Sequence, residues 1–327
     1  MASLIVLDVG HGNCAILSAG NAVAVVDAPI GSLLLDTLRD MKVTKVDAAF
    51  ISHADKDHLA GVLALLTSNE VAVSNLYLNP DSARTSAIWR DLLAAVTVAQ
   101  RNGTCVISTS LSSTTPGMVV IGDATVNVVA PSAALALRGV SGALDDGRVV
   151  SANSLSAVLR IETEGGQGVL LAGDMDEVGL DDALSHDADL AARVLVFPHH
   201  GGSPNGNAQA FTDRLIDAVK PASVVFSNGR NRYDLPQKEI VEAVVAKGCA
   251  VACTQMSQSC SSVELPDVHL ESVRSHGKAR GHTCAGSMSF DLEGGATRDA
   301  LLGDGFAAFV EKTVPTPMCR VRSEPAP

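Results

Sequence analysis

Ser52-His53-Ala54-Asp55-Lys56-Asp57-His58-Leu59-Ala60-Gly61 places two histidines and two aspartates within six residues. The run before it, Val46-Asp47-Ala48-Ala49-Phe50-Ile51, is short and mostly apolar and reads as a strand about to end. Leu59 to Leu66 reads as a helix, stopped by Thr67-Ser68-Asn69. Side-chain direction repeats every second residue in an extended loop, so His53 and Asp55 fall on one side. The tightening turn then brings Asp57 and His58 round to face them. Imidazoles and carboxylates converging in this way suit a divalent metal such as zinc or manganese. The competing reading is a solvated turn that caps the helix through Asp55 or Asp57.

Two further polar clusters repeat this chemistry at predicted strand ends. Gly173-Asp174 follows the apolar run Val169-Leu170-Leu171-Ala172, and His199-His200-Gly201-Gly202 follows Val194 to Phe197. Around them the chain alternates strands and helices in two rounds. The first opens with three short β runs (3–9, 14–18, 22–27) and includes an amphipathic helix from Ser86 to Arg101 with Gly103 past its end. The second restarts near Asn153 with strands 154–162 and 168–172, helix 176–184, the strand ending at Phe197, helix Ala208 to Val219, strand Ser223 to Ser227, helix 236–247 and strand 249–254. The expected architecture is α/β (α+β in some schemes), with two mixed sheets packed face to face and helices outside.

Composition sets bounds on function. With 46% hydrophobic and 18% charged residues the chain is globular, and at 3% aromatics its core must be built from Ala, Val and Leu. A net charge of -12 argues against a protein that coats nucleic acid through a general positive field, though not against a local basic groove. No apolar run approaches the ~18 residues that a membrane span needs. The N-terminus lacks the basic start of a signal peptide. Seven cysteines at irregular spacing do not form a secreted disulfide framework, so the expected location is cytoplasmic. Pro315, Pro317, Pro325 and Pro327 suggest a loosely held tail over 296–327.

With these residues in view, the chain resembles the metallo-β-lactamase superfamily, and within it the hydrolase domain of ComEC-type competence (DNA-uptake) proteins and their soluble stand-alone relatives. The resemblance runs over about residues 3–260. It is carried by Leu7-Asp8-Val9-Gly10-His11-Gly12-Asn13-Cys14, Ser52 to Gly61, Asn153-Ser154-Leu155, Leu170-Leu171-Ala172-Gly173-Asp174, Pro198-His199-His200-Gly201 and Asn228-Gly229-Arg230-Asn231-Arg232-Tyr233. It departs at His11, where the family usually has Gln, at Asn13 for Asp, and at Leu235 for a His before Pro236. The resemblance implies a four-layer αββα sandwich, a hydrolase domain over 1–295 with a Cys/His-rich extension at 260–290, and two divalent ions. His53, Asp55 and His199 would serve one ion and Asp57 and His58 the other, with Asp174 bridging. Asp55 stands where most of the superfamily has a second His, which moves the preference toward manganese without excluding zinc.

A hydroxide held between two ions is a nucleophile suited to phosphodiesters. The implied function is therefore a metal-dependent phosphodiesterase or nuclease, with single-stranded nucleic acid as a candidate substrate and with Asp57, Asp55 and His200 at the chemistry. The alternatives are hydrolysis of a small ester, thioester or lactam, or a binding module with a degenerate site. His200 is read either as an acid outside the metal shell or as a core histidine, because only one of an adjacent pair can face the same way off a strand. Asn153 orients substrate or caps a turn. Lys56, Arg230 and Arg232 hold phosphates or form a solvated face. Asp8 and Asp27 order the metal loop from behind. Cys253, Cys260, His282 and Cys284 are candidate ligands of a structural zinc, with Cys249 and His276 as substitutes and buried unligated thiols as the alternative. His186 and His269 are expected on the surface.

Overall fold

The computed structural model describes residues 2–320 except 167, 205, 231, 267, 271–276, 278–280 and 294–297, and for 298–304 the backbone alone. His276, Pro325 and Pro327 lie outside the described residues. In chain order the strands are β1 Ala2–Val6, β2 Ala15–Ala19, β3 Ala22–Val26, β4 Lys45–Val46, β5 Ala48–Ile51, β6 Ala72–Val73, β7 Asn75–Leu78, β8 Val106–Ser108, β9 Met118–Ile121 and β10 Ala124–Ala130. They continue with β11 Val158–Thr163, β12 Val169–Leu171, β13 Val194–Val196, β14 Ser223–Phe226, β15 Ala250–Cys253 and β16 Met288–Asp291. The helices are α1 Leu33–Asp40, α2 Lys56–Thr67, α3 Ala87–Asn102, α4 Ala133–Arg138, α5 Glu177–Ser185, α6 Ala208–Val219, α7 Lys238–Ala246 and α8 Arg298–Lys312.

Two seven-stranded mixed sheets carry the fold, in the orders β16-β1-β2-β3-β5-β7-β8 and β15-β14-β13-β12-β11-β10-β9. Alternation along the strands explains how they stack. Leu4, Leu17, Val26 and Phe50 of the first sheet face Val126, Leu159 and Val169 of the second in one buried cluster. The opposite face of sheet one buries Ile16, Val25 and Ile51 under Leu38, Leu59 and Leu92 of α1, α2 and α3. The outer face of sheet two buries Leu170, Leu195 and Phe226 under Leu180, Phe211 and Val244 of α5, α6 and α7. The result is the αββα sandwich.

Three differences from the sequence reading have physical causes. Helix α2 starts at Lys56 rather than Leu59, so Asp57 sits in its first turn, where a carboxylate is favoured by the helix dipole. The strand expected from 154 begins at Val158, because residues 152–155 form a turn closed by Ser156 N to Asn153 O at 3.1 Å. The segment 296–327, read as a loose tail, contains α8, and Phe309, Val310 and Val314 are buried against the core of sheet two. Gly303 and Gly305 lower the intrinsic helix propensity of this stretch, and tertiary burial overrides it. Among the described residues no helix is long and apolar enough to cross a membrane.

Candidate metal centre

Parallel pairing brings the polar clusters to one end of the sandwich. β3 pairs β5 with Val26 opposite Phe50, so Asp27 lies beside Ser52 as both strands end. Asp27 accepts from Ser52 N at 2.7 Å and from Ser52 Oγ at 2.7 Å, and its Oδ2 is 2.8 Å from His58 Nδ1. In the neutral ring a proton held on Nδ1 leaves His58 Nε2 free for an ion, the arrangement that orients imidazole ligands. Gly61 is required here: a Cβ would lie 2.5 Å from Ala28 Cβ, so only glycine lets α2 dock on the end of β3.

In sheet two, β12 pairs β13 with Leu171 opposite Val196, which sets Asp174 and His199-His200 at neighbouring strand ends. Asp174 N donates to Ser156 Oγ at 2.9 Å, and the same hydroxyl is 3.4 Å from His53 Nδ1. The chain at His199, His200 and Gly201 runs through φ of 53°, 56° and 88°. This left-handed turn costs about 1 kcal/mol or more per non-glycine residue. It also turns both imidazoles inward, which a strand cannot do. His200, read either as an acid at the chemistry or as a core histidine, is buried and faces the cluster. Its Nδ1 is 2.9 Å from Ser227 O, so Nδ1–H donates to that carbonyl and Nε2 faces the site.

Asp174 stands at the middle of the cluster. Its Oδ2 is 3.8 Å from His53 Nε2 and 3.7 Å from His199 Nδ1, while Oδ1 is 3.4 Å from His58 Nε2 and 3.8 Å from His200 Nε2. Asp55 Oδ2 is 3.5 Å from His53 Nε2, and Asp57 Oδ2 is 3.4 Å from His200 Nε2. His11, from the loop after β1, brings Nε2 to 3.2 Å from the same Asp57 oxygen. Among the described residues, two groups have ligating atoms within 4.8 Å of one another: His53, His58 and Asp174, and His11, Asp57 and His200. The Nε2 atoms of His53, His58, His199 and His200 and Oδ1 of Asp174 are buried without a hydrogen-bond partner. Buried polar atoms are paired in the great majority of cases. Of the unpaired atoms here, the Nε2 atoms of His53, His58 and His200 lie 3.4–3.8 Å from Asp174 oxygens, and His199 approaches through Nδ1; the set fits divalent ions.

The electrostatics agree. Burial works to raise the Asp57 and Asp174 carboxyls, but the surrounding imidazoles outweigh it and hold both well below the usual carboxylate range. Burial would lower His58, yet Asp174 and Asp27 hold it well above an ordinary histidine. In the metal-free chain His58 therefore holds its proton more tightly than an ordinary histidine, and an ion must displace it. Metal affinity is accordingly expected to keep rising with pH above 6.5, with measurable proton release on binding. Calorimetry in two buffers of different ionisation enthalpy checks this. An affinity flat above pH 6.5 would exclude His58 as a ligand.

A cleft of about 640 Å³ opens over the cluster, lined by His11, Asp55, Lys56, Asp57, Arg230, Arg232, Tyr233 and His282. Lys56 and Arg232 line this cleft, and Arg232 lies 5.3 Å from the centroid of the exposed Tyr233 ring. Arg230 does not serve as expected. Its guanidinium donates to the carbonyls of Met256, Ser261 and Val263 at 2.9, 2.9 and 3.0 Å and anchors that loop. Asn153 does not line the cleft; the neighbouring Ser154 and Ser151 instead donate to Asp176 at 2.8 and 2.7 Å. Asp27 orders the metal loop, whereas Asp8 Oδ1 accepts from Gly10 N at 3.2 Å and shapes the His11 loop.

The zinc quartet of Cys253, Cys260, His282 and Cys284 is not assembled. His282 Nε2 is 3.0 Å from Glu264 Oε1 on the cleft wall, and neither metal-like group contains a cysteine. The three thiols are buried in the core of sheet two with Cys319 packed against the same cluster, and burial pushes their pKa values up. Cys249 Sγ is 3.2 Å from Pro221 O. His186 is exposed as expected, but His269 is half-buried, stacked on Phe309 at 3.7 Å and 2.6 Å from Cys284 O. Sequence reasoning also missed His11 as a donor, Ser52 and Ser156 as supports, and Arg84. A histidine between two glycines at a strand end was the available signal for the first.

No family model matches the chain. A curated relative, ComE operon protein 3 of Bacillus subtilis (strain 168), is 23% identical over 215 residues, 64% of this chain. That alignment spans 24% of the relative's length. Among solved structures, the metallo-β-lactamase fold protein YhfI from Bacillus subtilis is 12% identical, matches 79% of this chain and 98% of its own, and superposes with a TM-score of 0.50. Igni18, a metallo hydrolase from Ignicoccus hospitalis KIN4/I, is 13% identical over 89% of this chain and 100% of its own, with a TM-score of 0.48. The chain has the metallo-β-lactamase fold.

Proposed function

We propose that this chain of metallo-β-lactamase fold is a metal-dependent hydrolase of phosphodiesters, with single-stranded nucleic acid as the substrate class. The observation that carries the reading is the cluster of buried, unpaired donor atoms around Asp174, next to a cleft lined by His11, Asp55 and Asp57 together with Lys56 and Arg232. His53, Asp55, His199 and Oδ2 of Asp174 on one side, and Asp57, His58, His200, His11 and Oδ1 of Asp174 on the other, would hold two divalent ions, zinc or manganese. Bound there, such ions supply Lewis acidity to the phosphoryl group and make water acidic enough to react at neutral pH.

The chain's own residues do the rest. Lys56 and Arg232 bind the non-esterified phosphate oxygens and offset the carboxylates that would otherwise repel an anion. Asp57 is fixed in the first turn of α2 by its neighbours His11 and His200. His282 lines the same cleft, with Nε2 3.0 Å from Glu264 Oε1. The test is hydrolysis of bis-p-nitrophenyl phosphate and labelled single-stranded DNA with added manganese or zinc, using wild type and Asp57→Ala. Cleavage should require metal and fall roughly 10³-fold or more in the variant, several kcal/mol of lost transition-state stabilisation. Folded, metal-loaded wild type that cleaves neither substrate would overturn the phosphodiester reading.

A further inference from the structure

Asp55 differs from the other carboxylates of the centre in having a cation of its own. Arg84, in the loop after β7, forms an ion pair through Nη2 with Asp55 Oδ1. Arg84 is in turn set by Asp81, whose buried Oδ2 takes Nε at 3.2 Å. Asp81 is tied to its own loop, its Oδ1 accepting from Ala83 N at 3.0 Å and its carbonyl from Arg84 N at 3.3 Å. The guanidinium thus spans two carboxylates in a fixed fork, which a lysine ammonium cannot reproduce. One oxygen of Asp55 is taken, and the other, Oδ2, is left 3.5 Å from His53 Nε2.

We infer that Arg84 is a positioning residue that restricts Asp55 to a single donor oxygen and thereby sets the metal preference on the His53 side of the centre; the inference rests on the metal-centre reading above. A carboxylate that offers one oxygen and shares its charge with a guanidinium stands in for a neutral, one-point imidazole. That suits an ion content with few ligands, as zinc is. Released from Arg84, Asp55 can chelate with both oxygens and swing freely. An oxygen-rich, higher-coordinate site of that kind suits manganese better than zinc.

The experiment measures zinc and manganese affinities of the full chain by calorimetry without substrate, for wild type, Arg84→Met, Arg84→Lys, Asp55→Ala and the Arg84→Met/Asp55→Ala double variant. Each variant is checked for native far-UV circular dichroism. Zinc affinity should fall about 10–100-fold in Arg84→Met, the usual effect of removing a group that orients a ligand. Manganese affinity should change by less than about threefold. Arg84→Lys should behave like Arg84→Met, and in the Asp55→Ala background the Arg84 change should have no further effect. Unchanged zinc affinity in Arg84→Met, rescue by lysine, or a zinc loss that persists without Asp55 would each overturn the inference. Wild type that binds no ion would overturn the metal centre itself, and wild type that binds ions without cleaving phosphodiesters would overturn only the proposed reaction.

Discussion

Asp174→Ala is expected to remove metal from both sides of the centre and to cut metal-dependent hydrolysis by about 10³-fold or more. Its carboxylate is the one group whose two oxygens face different imidazole sets, His53 and His199 on one side and His58 and His200 on the other. Losing Asp55 would cost ligands on one side alone. The backbone at this position is held independently, through Asp174 N to Ser156 Oγ, so the strand end should persist. Elemental analysis beside turnover makes the check. A variant that retains two ions per chain would show that Asp174 is not the shared ligand.

Asp27→Ala should instead act on the fold. The carboxylate is 2% exposed, receives three polar groups from Ser52 and His58, and faces an imidazole that is fully buried. Removing one member of such a buried pair leaves the other uncompensated and costs about 3–5 kcal/mol. Urea denaturation of the metal-free chain reads the loss as a lowered midpoint with little change in slope. Activity should fall as well, because His58 loses the bond that fixes its tautomer. An unchanged midpoint would mean that Asp27 contributes nothing to holding the loop.

Much of this site was legible in the sequence because strand ends concentrate polar residues where an apolar run stops. His53, Asp55, Asp57, His58, Asp174 and His199 could be picked out by that rule alone. His200 stayed ambiguous between the chemistry and the core, because the argument assumed strand geometry, whereas the chain there turns left-handed. His11 and Arg84 come from loops remote in sequence, and nothing in local periodicity ties them to Asp57 or Asp55. His282 was drawn to the cysteines by proximity in the chain, but the fold places it across the cleft. The C-terminal helix was hidden by its glycines and flanking prolines, since its burial depends on a surface built some hundred residues earlier.

The pairing of β1 with β16, in which Ser3 lies opposite Asp291, also bears on how the molecule comes into being. On a ribosome adding about 5–20 residues per second, the first strand waits tens of seconds for its outer neighbour. Throughout that interval one row of its amides and carbonyls lies open beside an apolar face, the kind of edge onto which another chain can add. Pairing with β16 is what finally closes that row.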